Sequence, residues 1–179
     1  MTKTRRGLGI AGTLIAGSLL AQATETPLAR LETAGGKVGW DDITLGMSSV
    51  QVERRTGVTL AMQESPASTA GKTCRAYTVT VERGTLRLTL GFPTSKPGAK
   101  LQSIFVHFEG YQVTAKQEAL VAELKVRLPG VSYLPPSGGA PSTEAADPAP
   151  AYLIPGDGGY AARLVAGGGL WLTLRDCLD

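Results

Sequence analysis

Apolar and polar residues alternate along much of the chain, which is the pattern of half-buried β-strands. The alternation covers six segments, at 75–81, 86–92, 101–108, 152–155, 160–166 and 170–176. Glycine and proline residues separate these segments, and Glu82-Arg83-Gly84 is predicted to turn the chain between the first two. Strands of this kind that follow one another closely form antiparallel sheets with one buried face.

Two stretches have the longer period of a helix instead. The first is predicted over 49–56, where Ser48 stands as the N-cap residue and Gln51 completes a capping box. Gly57 follows in the position that favours a left-handed backbone at the C-terminal end of a helix. This pattern predicts one short, well-defined helix ahead of the first group of strands.

The second helix is predicted over 115–128, and Pro129-Gly130 ends it. Its apolar stripe consists of Leu120, Leu124 and Leu128. Glu123 and Arg127 form a favourable i,i+4 pair on the same helix. With the strands, this gives an α+β domain in which two helices pack on one face of an antiparallel β-sheet.

The chain begins with the features of an export signal. Its positive residues are Lys3, Arg5 and Arg6, and an apolar run over 8–20 follows. Residues 21–23, Ala-Gln-Ala, have the small-x-small pattern of a cleavage site. Because the apolar run is shorter than the about 20 residues that span a bilayer, we predict a signal over 1–23 and no transmembrane anchor in the mature chain.

The remaining sequence divides into two parts. Residues 24–39 have no clear period and are predicted to be a flexible lead-in. Residues 40–179 are long enough for a single domain with a real core. Within that domain, residues 135–150 contain five prolines and almost no large apolar side chains, so we predict a disordered loop there.

Removal of the signal changes the charge balance. The full chain has 18 Lys and Arg residues against 15 Asp and Glu residues, and three of the basic ones lie in the signal, which leaves 15 of each. A neutral mature chain offers no basic surface for nucleic acid. We therefore expect a periplasmic or secreted protein without a nucleic-acid partner.

Two cysteines, Cys74 and Cys177, remain in the mature chain. In an oxidising compartment an even pair favours a disulfide bond between them. A metal or redox pair would need further partners, but the chain has no Cys-x-x-Cys pattern and only one histidine, His107. We therefore predict a disulfide, no metal site and no cofactor.

The two halves of the domain follow the same order of elements. Each half, 40–110 and 111–179, begins with a capped helix that ends at a Gly-Val pair and continues through a polar loop into three strands. This order suggests a tandem αβββ repeat. The alternative is an unrelated α+β domain with two helices on one face of its sheet.

Residues 43–58, ITLGMSSVQVERRTGV, resemble the opening of a group of small bacterial envelope domains. These have the β-lactamase-inhibitor-protein-like fold, which is shared with the small lipoprotein of the outer-membrane β-barrel assembly machine. The residues that carry the resemblance are Gly46, Met47, Val52 and Gly57. The resemblance implies tandem helix-and-strand repeats and a non-catalytic role. Unlike the lipoproteins, this chain has no lipidated cysteine after its signal.

Catalytic patterns are weak in this sequence. His107 would have to serve as the general base of any Ser-His-Asp or Cys-His site, and the strand period places it on the solvated face, away from Val106 and Phe108. Asp41-Asp42 is predicted to be a turn rather than a catalytic carboxylate pair. Residues 156–159 lack the following helix and lysine of a phosphate-binding loop and are predicted to form a hairpin turn. No catalytic residue is therefore assigned.

One group of outward-facing residues is a candidate binding surface. Arginine and tryptophan are enriched in binding hot spots, and the strand period places both types on the sheet face opposite the predicted core. The candidate residues are Arg87, Phe105, His107, Arg163, Trp171 and Arg175. The alternative is an ordinary solvated sheet face.

The sequence thus favours an exported, non-enzymatic binding or interaction domain with an envelope protein as its partner. A second hypothesis is an envelope structural or assembly factor that acts by strand addition or packing. A third, less favoured hypothesis is a hydrolase that uses His107.

Overall fold

The architecture is α+β, and the residues that the structure describes contain two α-helices and eleven β-strands in antiparallel sheets. The computed structural model describes residues 28–66, 73–83, 86–108, 117–134, 151–155, 158–165 and 169–178. The predicted signal over 1–23 and the predicted disordered loop over 135–150 lie outside these residues.

The described elements of the first half are β1 (Leu31–Glu32), β2 (Gly39–Trp40), β3 (Ile43–Thr44), α1 (Ser49–Thr56), β4 (Gln63–Glu64), β5 (Tyr77–Arg83), β6 (Leu86–Phe92) and β7 (Ser103–His107). The second half contains α2 (Gln117–Arg127), β8 (Ser132–Leu134), β9 (Ala151–Leu153), β10 (Tyr160–Val165) and β11 (Gly169–Leu174). Short 3-10 turns lie at Thr73–Arg75 and Arg175–Cys177.

The order of strands in the main sheet is symmetric about its centre. Strands β1, β2 and β3 form a small sheet of their own, and the other eight form one sheet in the order β4-β5-β6-β7-β11-β10-β9-β8. Each half therefore contributes a helix followed by four consecutive strands, and the last strands of the two halves, β7 and β11, pair in the middle. The sequence pattern predicted three strands in each half and missed β4 and β8.

Helix α1 has the bounds and the caps that its sequence predicts. The backbone N–H of Gln51 donates to Oγ of Ser48, and the Gln51 side chain accepts from the Ser48 N–H. Gly57 has the positive φ of 70° expected of a left-handed C-cap. Val52 is completely buried, so the helix is held to the core through this residue.

Helix α2 is described from Gln117 and ends one residue earlier than predicted, while predicted residues 115–116 lie outside the described residues. Its apolar stripe is buried as expected. On the same helix, Nε of Arg127 donates to Glu123 at 2.8 Å, which confirms the predicted i,i+4 pair. The stripe and Val52 of α1 belong to one core cluster that also contains alternate residues of the main sheet.

The strands of the main sheet alternate as the sequence predicts. The buried positions on their first face are Val79, Val81, Leu88, Leu90, Ile104, Val106, Leu164, Leu170 and Leu172. Glu82 and Arg83, which were expected to turn the chain, extend β5 and pair with β6. Strand β11 ends at Leu174, whereas the prediction extended it to residue 176. Arg175 therefore lies in a 3-10 turn and not in the strand.

Residues 28–39 are part of the packed structure, where the sequence pattern predicted a flexible lead-in. Leu28, Leu31 and Val38 are buried in the same core cluster as the main sheet. The next strand contributes Trp40, which is fully buried with its ring centroid 5.9 Å from that of Phe108. The small sheet therefore covers part of the core of the larger one.

A disulfide bond joins Cys74 to Cys177, as the sequence predicted. Cys74 lies in the 3-10 turn before β5, and Cys177 lies in the 3-10 turn after β11. The bond spans 103 residues of chain and ties the beginning of one group of strands to the end of the other.

Candidate functional site

The strand register places a row of side chains across the second face of the main sheet, which is the face opposite that of Leu88 and Leu172. Directly paired positions in an antiparallel sheet bring their Cβ atoms to about 4.5–5.5 Å, on the same face. The central row, in order from β5 to β10, is Thr80, Thr89, Phe105, Trp171 and Arg163. These side chains therefore come together although they lie on five different strands.

Two further rows flank the central one. The first consists of Arg87, His107 and Gly169. The second consists of Gly91, Ser103 and Thr173. On β5 the first row continues to Glu82 and the second to Thr78. On β11, small residues, Gly169 and Thr173, stand on both sides of Trp171.

Trp171 lies on the second face but is covered, with only 7% of its surface exposed. The guanidinium carbon of Arg75 lies over its ring at 4.7 Å from the centroid, and that of Arg163 lies at 5.6 Å. Both distances fall within the about 6 Å range of cation–π interactions. The sequence predicted an exposed tryptophan here, and the arginine side chains are the reason that it is buried.

The disulfide bond explains how Arg75 reaches Trp171. Arg75 directly follows Cys74, and Cys177 lies three residues after the end of β11, the strand that carries Trp171. The bond therefore holds the turn that contains Arg75 next to that strand.

A pocket of about 270 Å³ opens on the second face beside Trp171. It is lined by Ser65, Arg75, Thr78, Thr89, Gly91, Ser103, Phe105, His107 and Trp171. Four of these residues have hydroxyl groups, two have aromatic rings, and no carboxylate occurs among the lining residues that the structure describes. The pocket therefore combines hydrogen-bond donors, aromatic surface and one arginine charge.

His107 is part of a hydrogen-bonded chain of side chains at this pocket. Its Nε2 lies 2.8 Å from Oγ1 of Thr89, which in turn lies 3.3 Å from Oγ1 of Thr80. The ring of Phe105 meets the imidazole edge-on, with centroids 4.5 Å apart. These contacts fix the position of the imidazole on the sheet.

Two glycines, Gly169 and Gly91, lack side chains where Phe105, Ser103 and Arg75 pack against the sheet. A Cβ atom at Gly169 would lie 2.3 Å from Cζ of Phe105, so the phenyl ring covers this glycine. A Cβ atom at Gly91 would lie 2.2 Å from Oγ of Ser103 and 3.0 Å from Cβ of Arg75. Any larger residue at either position would displace a side chain of the pocket.

A larger but more polar depression, of about 480 Å³, lies elsewhere on the surface. It is lined by Arg30, Asp41, Asp42, Glu82 and Arg83. Asp41 pairs with Arg30 at 3.6 Å, and Asp42 pairs with Arg83. The two carboxylates form the two-residue turn between β2 and β3, as predicted, and each is committed to a different arginine. We do not assign a functional site to this depression.

Five of the six candidate binding residues lie on the second face by register, namely Arg87, Phe105, His107, Arg163 and Trp171. Arg175, the sixth, is exposed in the turn after β11. Arg75 and the hydroxyl residues of the pocket were not among the candidates. The predicted disulfide was the available signal for Arg75, because it places the residue after Cys74 next to the last strand.

Metal ligands do not cluster in the described part of the chain, where no three His, Cys, Asp or Glu side chains are close enough to hold an ion. Within the same residues, no helix has the length and apolar character needed to cross a bilayer. Comparison with known proteins finds no matching family model, no matching curated protein and no matching solved structure.

Proposed function

We propose that this protein is an exported, non-catalytic binding domain of the bacterial cell envelope, which binds a protein partner with the second face of its main sheet. The observation that carries the proposal is the pocket on that face, where Trp171 lies under two arginines beside Phe105 and His107. Tryptophan and arginine that are already packed together lose little side-chain freedom on binding, which favours affinity.

Export is supported by two independent features. The first is the order of positive residues, apolar run and Ala-Gln-Ala at the beginning of the chain. The second is the disulfide bond between Cys74 and Cys177, since such bonds persist in oxidising compartments. Both are compatible with a periplasmic or secreted domain.

Binding is favoured over hydrolysis by the surroundings of the single histidine. Nε2 of His107 lies within hydrogen-bond distance of Thr89, and Thr89 also contacts Thr80, so this ring nitrogen belongs to a structural network. In a Ser-His-Asp type of site a carboxylate also orients the histidine, and none occurs among the described residues that line this pocket.

The resemblance of residues 43–58 to the β-lactamase-inhibitor-protein-like fold supports the same class of function. That resemblance implies tandem repeats of a helix followed by strands, and the symmetric order of the main sheet agrees with such a duplication. In this arrangement both helices pack on the first face of the sheet, which is consistent with their shared core cluster. The part of the second face around the pocket is then the surface that we propose for a partner.

A second candidate function is that of an envelope structural or assembly factor that adds a strand at the edge of the sheet. The observation in its favour is β8, which is one of the two outermost strands described in the main sheet and carries Tyr133 with 57% of its surface exposed. An edge strand of this kind presents unpaired backbone groups to a partner strand.

Site-specific photo-crosslinking separates these functions. A photoreactive amino acid replaces Thr80 on the second face, Tyr133 on the edge strand, or Val126, which is 81% exposed on α2 and serves as the control. We expect the Thr80 variant to crosslink one envelope protein in cells and the other two variants to give no such product. Crosslinks from Tyr133 alone would favour the assembly factor, and equal crosslinking from all three would contradict both proposals.

Crosslinks from no position would leave the chain without an envelope partner and contradict binding as its function. The hydrolase hypothesis is tested separately with His107→Ala, because no other histidine could replace the general base. Hydrolysis of an ester or peptide substrate library that is lost in this variant would overturn the non-catalytic assignment.

A further inference from the structure

The geometry points to a carboxylate-binding site in the pocket beside Trp171, which receives an acidic side chain of the protein partner. This inference rests on the proposed function and names the chemistry that the partner would present. Its elements are the guanidinium of Arg75, the hydroxyl groups around it and the two aromatic rings.

The guanidinium N–H groups of Arg75 are available to donate hydrogen bonds to a ligand in the pocket. Its guanidinium lies over the Trp171 ring, and within the described residues it has no ion pair or side-chain hydrogen bond. Stacking uses the face of a guanidinium, while its N–H donors point outward in its plane. A planar carboxylate accepts two such donors at once, which makes it the best-matched anion for this group.

Arg163 adds a second positive charge near the same ring. Its Nε is buried and has no hydrogen-bond partner among the described residues. The guanidinium carbons of Arg75 and Arg163 lie 4.7 Å and 5.6 Å from the Trp171 centroid, so both charges lie near the same ring. Buried donors of native proteins normally have partners, and no carboxylate occurs among the described residues that line the pocket.

The neutral groups of the pocket fit the rest of an acidic side chain. Hydroxyl groups of Thr78 and Ser103 supply additional donors around the arginine. The rings of Phe105 and Trp171 supply apolar surface for the methylene groups of glutamate or aspartate.

The size of the pocket favours a single side chain as its occupant. At about 270 Å³, it is close to the lower end of the range of about 300–1,000 Å³ for small-molecule sites and has room for one side chain. Its position in the centre of the second face is also where a protein partner would place an anchoring residue. We therefore assign the site to an acidic side chain within a protein interface rather than to a free metabolite.

The test uses the full oxidised mature chain and follows the two tryptophan indole N–H signals by NMR. The probe is N-acetyl-glutamate amide, whose only charge is the side-chain carboxylate, and N-acetyl-glutamine amide is its neutral match. We expect the glutamate probe to shift the Trp171 signal in a saturable manner while the buried Trp40 signal stays in place. The glutamine probe should leave both signals unchanged.

Variants of Arg75 connect the response to this side chain. Arg75→Gln should weaken the apparent Kd of the glutamate probe about tenfold or more. Arg75→Lys keeps the charge but loses the paired donors, so it should weaken the Kd by several-fold. The control is Arg55→Gln, an exposed arginine on α1, which should bind like the parent chain. The amide spectrum of each variant establishes that it is folded.

Several results would overturn the inference. One is a Trp171 signal that does not respond to the glutamate probe, or that responds equally to glutamine. Another is a Kd that neither Arg75 variant changes. Acetate, N-acetylglycine and inorganic phosphate test for other anions, and equal affinity for any of them would reject an acidic side chain as the specific occupant.

Failure of this inference is distinguishable from failure of the proposed function. Crosslinking from Thr80 without any carboxylate response would remove the acidic side chain and leave the second face as the binding surface. Loss of both the crosslinks and the response would contradict the two together.

Discussion

Arg163 on β10 lies directly opposite Trp171 on β11, and its guanidinium carbon is 5.6 Å from the centre of the indole ring. With Arg75 over the same ring, this pair turns an outward-facing tryptophan into a buried one. The second face therefore has a packed centre of its own, separate from the main core on the first face.

Replacement of Trp171 measures how much this packed centre stabilises the protein. Because Trp171 is 7% exposed, Trp171→Ala should lower the free energy of unfolding by about 3–5 kcal/mol. Leu172→Ala in the main core should cost a comparable amount, about 2–5 kcal/mol. Denaturant titration of both variants gives the two values directly.

The control for this comparison is Arg175→Ala. Arg175 is exposed in the turn after β11, so its loss should change stability by no more than about 0.5 kcal/mol. If Trp171→Ala were as mild as Arg175→Ala, the burial of the indole ring would be wrong, and the pocket beside it would lose one wall.

The helices and long strands were predictable because their signals are local. The capping box of α1 needs only Ser48 and Gln51, and the alternation of β6 predicts its bounds from Leu86 to Phe92 without error. Strands of two or three residues carry no such period. Leu31 and Trp40 are buried in strands of only two residues, which are too short for an alternating pattern to be recognised.

The candidate site was predictable only in part, for a related reason. Alternation determines which face Phe105, His107 and Trp171 occupy, but it does not determine what covers that face. Arg75 comes to Trp171 through the bond between Cys74 and Cys177, which is a contact over 103 residues of chain. The sequence pattern therefore could not predict how exposed a side chain on the second face, such as Trp171, would be.

The close approach of Phe105 to Gly169 gives a second prediction. Gly169→Ala would place a methyl group 2.3 Å from Cζ of the phenyl ring, and such overpacking costs about 1–3 kcal/mol. In a Phe105→Ala background the clash with the ring is absent, and the close approach that remains is 3.1 Å to the backbone oxygen of Val106. The cost of Gly169→Ala should then be smaller.

Thermal or denaturant unfolding of the two single variants and the double variant tests this coupling. Purely additive effects would show that the phenyl ring does not cover Gly169. A coupling of about 1 kcal/mol or more, with the double variant more stable than the sum of the single changes implies, is the expected result.

Tyr152 gives a prediction about alkaline pH. Desolvation by burial, and secondly the charge of the nearby Tyr133, raise the pKa of Tyr152 above its usual value of 10.0. The folded chain thus holds this proton more tightly than the unfolded chain does. Ionisation of Tyr152 should not affect the free energy of unfolding at pH values well below 10. It should lower that free energy as the pH rises above about 10.

Tyr152→Phe should remove part of this alkaline decline, as measured by denaturant titration at several pH values between 8 and about 11. Tyr133→Phe is the matched control, since it removes only the smaller cause and should flatten the decline less. The ring centroids of the two tyrosines lie 6.0 Å apart, so both changes probe one local environment. An unchanged decline in Tyr152→Phe would contradict the assignment.

The proposed export of the chain predicts a defined mature N-terminus. Cleavage after Ala23 should leave Thr24 as the first residue of the exported protein. Mass spectrometry of the protein purified from the envelope or the medium measures this end. An Ala21→Leu change, which spoils the small-x-small pattern, should leave the precursor uncut. A precursor that keeps residues 1–23 in the wild-type envelope fraction would refute the prediction.

The disulfide bond should control both the stability of the fold and the carboxylate site. Removing a native bond that closes a long loop costs about 2–5 kcal/mol, and Cys74–Cys177 closes one of 103 residues. Without the bond, the turn that carries Arg75 is no longer tied to the end of β11. The Cys74→Ser/Cys177→Ser double variant should therefore show a more solvent-exposed Trp171 and a weaker response to the glutamate probe.

Acrylamide quenching of tryptophan fluorescence and the NMR titration measure these two effects on protein that is still folded. Arg75→Gln with the bond intact is the control, because it should lose the carboxylate response and keep most of the stability. Two free thiols in the folded parent chain would show that the bond does not form. A double serine variant that binds the probe as tightly as the parent chain would separate the disulfide from the site and leave Arg75 to be positioned by Trp171 alone.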